Sequence, residues 1–260
     1  MLLCIDVGNS HTVVGVLDGE ELVAHWRVST DEHRTADEWD VLLGSLLRAR
    51  QLDPRTHIDG VSVCCTVPAV VHEIRDLLHR HLADAATSMI EPGTRTGLAL
   101  QVDNPREVGA DRIANALAAS RLYGGPCIVV DFGTATTFDV VNAENQYVGG
   151  AISPGIEISL DALGRRGAQL RTVELQRPRS VIARNTVEAL QSGLLYGFAG
   201  QVDRIVDRMI DALGAQTDDV SVIATGGLAE TVLEECETVT AHEPWLTLIG
   251  LRFVHEKNTR

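Results

Sequence analysis

Two stretches far apart in this chain follow one pattern, and that repeat limits the possible folds more than any other feature. The first is Leu2-Leu3-Cys4-Ile5-Asp6-Val7-Gly8-Asn9-Ser10-His11-Thr12, which runs into the apolar segment Val13 to Leu17. The second is Ile128-Val129-Val130-Asp131-Phe132-Gly133-Thr134-Ala135-Thr136-Thr137, which runs into Phe138 to Val141. Each is an apolar strand ending in Asp, a turn of Gly and short polar residues, and a second apolar strand. Asp6 aligns with Asp131, Gly8 with Gly133 and Thr12 with Thr137. Gly8 permits a tight turn, and the short side chains after it leave backbone N–H groups accessible at the tip. Such donors beside one carboxylate suit a phosphate carrying its metal ion. One copy alone reads equally well as an ordinary hairpin. The repetition predicts two similar half-molecules, with both carboxylates and both phosphate loops meeting across a cleft.

Composition narrows the function. There are 36 acidic residues against 22 basic ones, a net charge of −14, which disfavours nucleic acid and anionic membranes as partners. Lys257 is the only lysine, so both the P-loop lysine and the protein-kinase strand lysine are missing. If this chain uses ATP, backbone amides and bound cations must hold the phosphates. No apolar run is long enough to span a bilayer, and the chain opens directly into a strand without a basic, cleavable leader. The five cysteines, Cys4, Cys64, Cys65, Cys127 and Cys236, show no metal spacing and read as reduced core residues of a cytoplasmic protein.

Periodicity predicts the remaining elements. Glu21 to Val28 reads as a third strand, Thr35 to Arg50 as an amphipathic helix and Gly60 to Cys65 as a strand. A helix follows from Val70 to Leu82 with Pro68 near its first turn, then a short strand at Met89-Ile90 and a loop from Glu91 to Asn104. Asn104 to Arg112 opens a helix over Ile113 to Leu122, with Asp111 in its first turn, where a carboxylate is also an ordinary cap. In the second half, Tyr147 to Ile152 reads as a strand, Glu157 to Leu163 as a helix, Val220 to Ala224 as a strand and Leu246 onward as a closing helix. Asn185 with Glu188 predicts a capped helix from Thr186 to Leu213. Gly193, Gly197 and Gly200 on one side of it predict close packing there. Arg165, Arg166 and Arg171 form the one basic concentration before Val181, most simply a solvated surface. Strands and helices mixed in each half predict an α/β protein split into residues 1–116 and 117–260.

Five motifs occur in order: Asp-Val-Gly-Asn-Ser from Asp6, Asn-Pro-Arg-Glu-Val-Gly-Ala-Asp-Arg from Asn104, Asp-Phe-Gly-Thr-Ala-Thr-Thr from Asp131, Gly-Gly-Ala-Ile-Ser-Pro-Gly from Gly149, and Asn-Thr-Val-Glu-Ala-Leu-Gln-Ser-Gly from Asn185. Together they resemble the type III pantothenate kinases of the acetate kinase–sugar kinase–Hsp70–actin superfamily, from Met1 to about Leu251. The resemblance implies duplicated ribonuclease H-like, actin-like ATPase domains with mixed central sheets and an interdomain cleft. It implies ATP-dependent phosphorylation of the primary hydroxyl of pantothenate, the first step toward coenzyme A, in a homodimer. Carried over by resemblance, Asp6, Val7, Gly8, Asn9, Ser10, His11, Thr12 and Val13 form the first phosphate loop, with Asp6 near the Mg²⁺–nucleotide. Asp111 becomes the proton acceptor, and Gly109, Ala110, Asp111 and Arg112 line the pantothenate site. Asp131 matches the position of a monovalent cation, K⁺ or NH₄⁺, and Thr134 a nucleotide contact. Thr186 matches a substrate contact supplied by the neighbouring subunit. Ser10 stands for the commoner Thr and Ala183 for a Gly, and Val102 lies where some members have a contacting Tyr.

This assignment has an electrostatic consequence. Two bare carboxylates about 4 Å apart repel by roughly 4 kcal/mol at an effective dielectric of 20. Without lysine nearby, Mg²⁺ and a monovalent ion are the expected compensation for Asp6, Asp111 and Asp131. Arg112 complements either the pantothenate carboxylate or the transferring phosphoryl group, and the sequence does not choose between them.

Overall fold

The computed structural model describes residues 1–166 and 173–259. They form two compact units. The first comprises Met1–Leu98, Asn104–Ala118 and the chain from Leu246 onward, and the second Ala99–Asp103 and Ala119–Trp245. The 116/117 division drawn from sequence falls inside one helix, and the last helix belongs to the first unit.

In the first unit the strands are β1 (Leu2–Val7), β2 (His11–Asp18), β3 (Glu21–Ser29), β4 (Gly60–Cys65) and β5 (Ala86–Met89), in the sheet order β3-β2-β1-β4-β5. β1 pairs antiparallel with β2 and parallel with β4. Alternation along β1 sends Leu3, Ile5 and Val7 into one apolar core. That core is completed by Trp39, Leu43 and Leu47 of α1 (Ala36–Ala49) and Val70, Ile74 and Leu77 of α2 (Pro68–Arg80). α1 starts at a capping box: Glu38 N–H donates to Thr35 Oγ1 at 3.4 Å, and Thr35 N–H donates to the Glu38 carboxylate at 2.9 Å. The same alternation turns Cys4 and Asp6 to the opposite face of the sheet.

In the second unit the strands are β6 (Ala99–Leu100), β7 (Cys127–Phe132), β8 (Ala135–Val141), β9 (Gln146–Pro154), β10 (Ser221–Thr225) and β11 (Ala241–His242). Their order is β11-β10-β7-β8-β9-β6. β7 pairs antiparallel with β8 and parallel with β10, so five of these strands reproduce the arrangement of the first unit. The internal duplication is therefore one of sheet topology as well as of motif. β6 lies in the stretch read from sequence as loop, and it adds to β9 in parallel.

α3 (Ala110–Tyr123) runs from one unit into the other, and α4 (Ile156–Arg166) contains Arg165 and Arg166. Arg171, the third member of the basic group, lies outside the described residues. α5 (Thr186–Leu213) has the predicted limits: Glu188 N–H donates to Asn185 Oδ1 at 2.9 Å, and Gly214 closes it in the left-handed region at φ +65°. Leu195, Ala199, Val202 and Val206 of α5 pack on Ile128, Val130, Phe132 and Phe138. Among the described residues of this chain, nothing packs closely at Gly193, Gly197 and Gly200. A Cβ at any of them meets no described atom within 4 Å, because the helix turns its branched residues, not its glycines, to the sheet.

α6 (Ala229–Leu233) is one short turn, and α7 (Leu246–Asn258) closes the chain. α7 docks against the first unit with polar and close-packed contacts. Ser62 Oγ donates to Leu251 O at 2.8 Å, and Thr247 Oγ1 donates to Asn115 Oδ1 at 2.8 Å. Gly250 lies against the backbone of Ala114, where a Cβ would come within 2.1 Å of the carbonyl oxygen. Among the described residues no helix is long and apolar enough to cross a membrane.

Candidate active site

The first unit gathers most of the residues singled out from sequence. Asp6, next to last in β1, lies on the sheet face opposite the apolar core, opposite Val13 on β2 and level with Cys64 on β4. The turn after it is closed by Gly8 N–H donating to His11 O at 3.1 Å, so this amide is used internally. Asn9 and Ser10 are exposed at the tip, and Thr12 is buried. Thr30 ties the turn down: its hydroxyl donates to Gly8 O at 2.7 Å, its N–H donates to Ser10 O at 3.0 Å, and it shares a 2.9 Å hydrogen bond with Thr12 Oγ1. Val7 O accepts from Thr66 N–H at 3.0 Å, and His11 Nδ1 lies 3.0 Å from Arg27 Nη2. The loop is thus rigid except at its tip.

Gly109 to Arg112 lead into the first turn of α3. Arg112 N–H donates to Asp111 Oδ1 at 2.8 Å, and this oxygen folds back over Gly109 so closely that a Cβ there would sit 2.5 Å from it. A side chain at 109 would have to turn the Asp111 carboxylate from this position. Burial pushes the Asp111 carboxyl above its ordinary value, against the hydrogen bond and charge of Arg112. For Asp6 the value is pushed up to about 7, first by burial and then by the charge of Asp111, while a hydrogen bond from Cys64 pulls it down. The structure therefore brings Asp6 and Asp111 into electrostatic contact within one unit. Either a retained proton or a cation relieves their repulsion.

In the second unit, Asp131 is next to last in β7 as Asp6 is in β1, but the turn differs in length. Asp131 pairs with Thr137 and Phe132 with Thr136, whereas Asp6 pairs with Val13 and Val7 with Thr12. The structural counterpart of Thr12 is thus Thr136, not Thr137 as sequence alignment suggests, because the second turn is one residue shorter. Gly133 N–H donates to Ala135 O at 3.1 Å, and Gly155 N–H donates to Thr134 O at 3.2 Å. Two glycines hold this hairpin by backbone contact. A Cβ on Gly155 would lie 2.3 Å from Thr134 O, and one on Gly226 (φ +93°) would lie 2.5 Å from Asp131 Oδ1. Thr186, at the first position of α5, is exposed.

Cys64 escaped sequence reasoning, which treated it as core. The sequence showed only that Cys64 lies in an apolar strand; its place beside Asp6 comes from the parallel pairing of β1 with β4. Among the described residues no group of three or more His, Cys, Asp or Glu is arranged to hold a metal. A single carboxylate such as Asp6 fits Mg²⁺ that arrives on nucleotide phosphates and keeps its waters.

The sequence profile described as type III pantothenate kinase matches residues 2–208. This chain belongs to the type III pantothenate kinase family. The chain is 61% identical to a type III pantothenate kinase of Thermobifida fusca over 100% of both chains. Distant solved structures share the fold of this family member. The activator of 2-hydroxyisocaproyl-CoA dehydratase from Clostridium difficile, solved with ADPNP, has a TM-score of 0.55 at 14% identity, covering 99% of this chain and 96% of that one. A ROK hexokinase from Thermus thermophilus has a TM-score of 0.53 at 15% identity, covering 100% and 99%. The pantothenate kinase family member thus has the duplicated, ribonuclease H-like α/β architecture of sugar kinases and actin-like ATPases.

Proposed function

We propose that this chain transfers the terminal phosphoryl group of ATP to the primary hydroxyl of pantothenate, the first step of coenzyme A biosynthesis, in the cytoplasm. The observation that carries this reading is the match to the kinase family over residues 2–208, in a chain whose Asp6, on β1, and Asp111, at the start of α3, fall in the same unit. Phosphoryl transfer depends mainly on positioning and charge stabilisation, and these two carboxylates divide that work.

Asp111 orients the pantothenate hydroxyl. Its Oδ1 is held by Arg112 N–H, which fixes the plane of the carboxylate and leaves Oδ2 to accept the hydroxyl proton late in transfer. Burial makes Asp111 more basic than a surface aspartate, which favours that acceptance. Gly109, Ala110 and Arg112 line the same substrate site. The loop from Val7 to Val13 takes the phosphates at its exposed Asn9-Ser10 tip, and Asp6 is the residue that would hold the Mg²⁺ arriving with them. Mg²⁺ arriving with the nucleotide would supply positive charge that offsets the phosphates and the two carboxylates. In the second unit, Asp131 holds K⁺ or NH₄⁺ and Thr134 contacts the nucleotide. Thr186, exposed at the start of α5, reaches the pantothenate of a second subunit in a homodimer.

The test is a coupled assay with ATP and Mg²⁺, comparing pantothenate with hexoses for the parent chain and Asp111→Asn. Turnover is expected with pantothenate alone and in K⁺ or NH₄⁺ but not in Na⁺ only. Asp111→Asn is expected to lower kcat by about a hundredfold or more with an unchanged melting temperature. Turnover of hexose instead of pantothenate, or near-parental kcat in the variant, would remove the reading. Equal rates in Na⁺ would remove the cation role of Asp131.

A further inference from the structure

The Asp6 carboxylate has a partner that neither the motifs nor the phosphoryl chemistry calls for. Cys64 Sγ donates to Asp6 Oδ1 at 3.1 Å. The two residues are level on the parallel pair β1 and β4, so the ladder itself sets their separation. Both face away from the apolar cluster that holds Leu3, Ile5, Val61 and Val63 on the same two strands. Cys64 is fully buried, so water does not compete for its thiol. Its neighbour Cys65 has the same chemistry but makes a different contact, donating to Val67 O at 3.4 Å.

We propose that Cys64 is a positioning residue for the Mg²⁺–nucleotide: its thiol occupies one oxygen of Asp6 and thereby presents the other toward the metal's water shell. This rests on the role given to Asp6 above. A carboxylate can turn about its Cβ–Cγ bond, and one directed donor restricts that freedom. The constraint acts before the metal arrives, so the cost of ordering Asp6 is not charged against metal binding. Outer-sphere partners of this kind typically change metal affinity by about tenfold to a hundredfold when lost. Serine keeps the donor, whereas valine fills the space without one.

The experiment measures binding of a non-hydrolysable ATP analogue to the full chain by calorimetry, with and without Mg²⁺. The readout is the ratio of the two dissociation constants. For Cys64→Val the Mg²⁺-dependent gain is expected to fall by about tenfold, with metal-free binding unchanged. Cys64→Ser is expected to restore the parental ratio, and Cys65→Val to leave it alone. In steady-state kinetics the loss in Cys64→Val should appear in KM for Mg²⁺–ATP and not in KM for pantothenate. If valine prevents folding, Cys64→Ala carries the same comparison. A parental ratio in the donor-free variants, or equal losses for serine and valine, would overturn the proposal, the second outcome leaving only a packing role. Asp6→Asn run in parallel separates the two layers. A parental ratio there removes the role of Asp6 and this inference with it, whereas a loss there beside an unaffected Cys64→Val removes only the thiol.

Discussion

Asp6 shows how one residue can be obvious in sequence and still depend on its surroundings for its properties. Its carboxyl ionises ordinarily near 3.8, and in the folded chain burial and Asp111 push the value up to about 7. Between these values the folded, ion-free chain keeps a proton that the unfolded chain has released. Stability contributed by that proton is complete below about pH 4 and is lost as pH rises toward 7. Asp6→Asn carries no such proton, so its melting temperature relative to the parent should climb across this interval. A flat difference between the two melting curves would show that Asp6 ionises normally. The motif identified Asp6, Asp111 and Asp131 because each ends an apolar run or opens a helix. Cys64 was not legible, since its role comes from register with a strand about sixty residues earlier, and register between parallel strands leaves no local trace.

At the scale of elements, strand alternation and helix caps were readable, and helix contacts were not. The limits of α5 follow from Asn185 and Gly214, whereas its three glycines meet no described atom of this chain. Gly250 carried no sequence signal at all, although α7 can approach α3 only because it lacks a side chain. Gly250→Ala must push α7 off the Ala114 carbonyl and is expected to cost about 1–3 kcal/mol. Gly197→Ala meets nothing within 4 Å, so it is expected to raise stability by up to about 1 kcal/mol through helix propensity alone. Denaturant unfolding of both variants checks the pair. Loss of stability in Gly197→Ala would mean that another surface covers this face of α5.

For the whole molecule, the duplicated sheets were foreseen but the path of the chain between them was not. The first unit is closed by α7 from the far end of the sequence, which buries Leu246, Leu248, Leu251 and Val254. A chain ending at Trp245 should therefore lose amide protection in β1 and β4 while β7 and β10 keep theirs. Hydrogen exchange measures this directly, and equal loss in all four strands would show that the two units unfold together. The shorter second turn belongs here too, because only the pairing of β7 with β8 shows that Thr136 takes the place aligned to Thr137.

What the sequence by itself determined was the features encoded by neighbours a few residues apart: the two acidic hairpins, the cap of α5, and a phosphate chemistry without lysine. The tertiary structure alone decided which distant strand lies beside Asp6, which unit receives the last helix, and which glycines are in contact. Local pattern reflects the geometry of a single element, which a few residues specify. Pairings between distant segments are selected by burial summed over the whole chain, and no short stretch contains that sum.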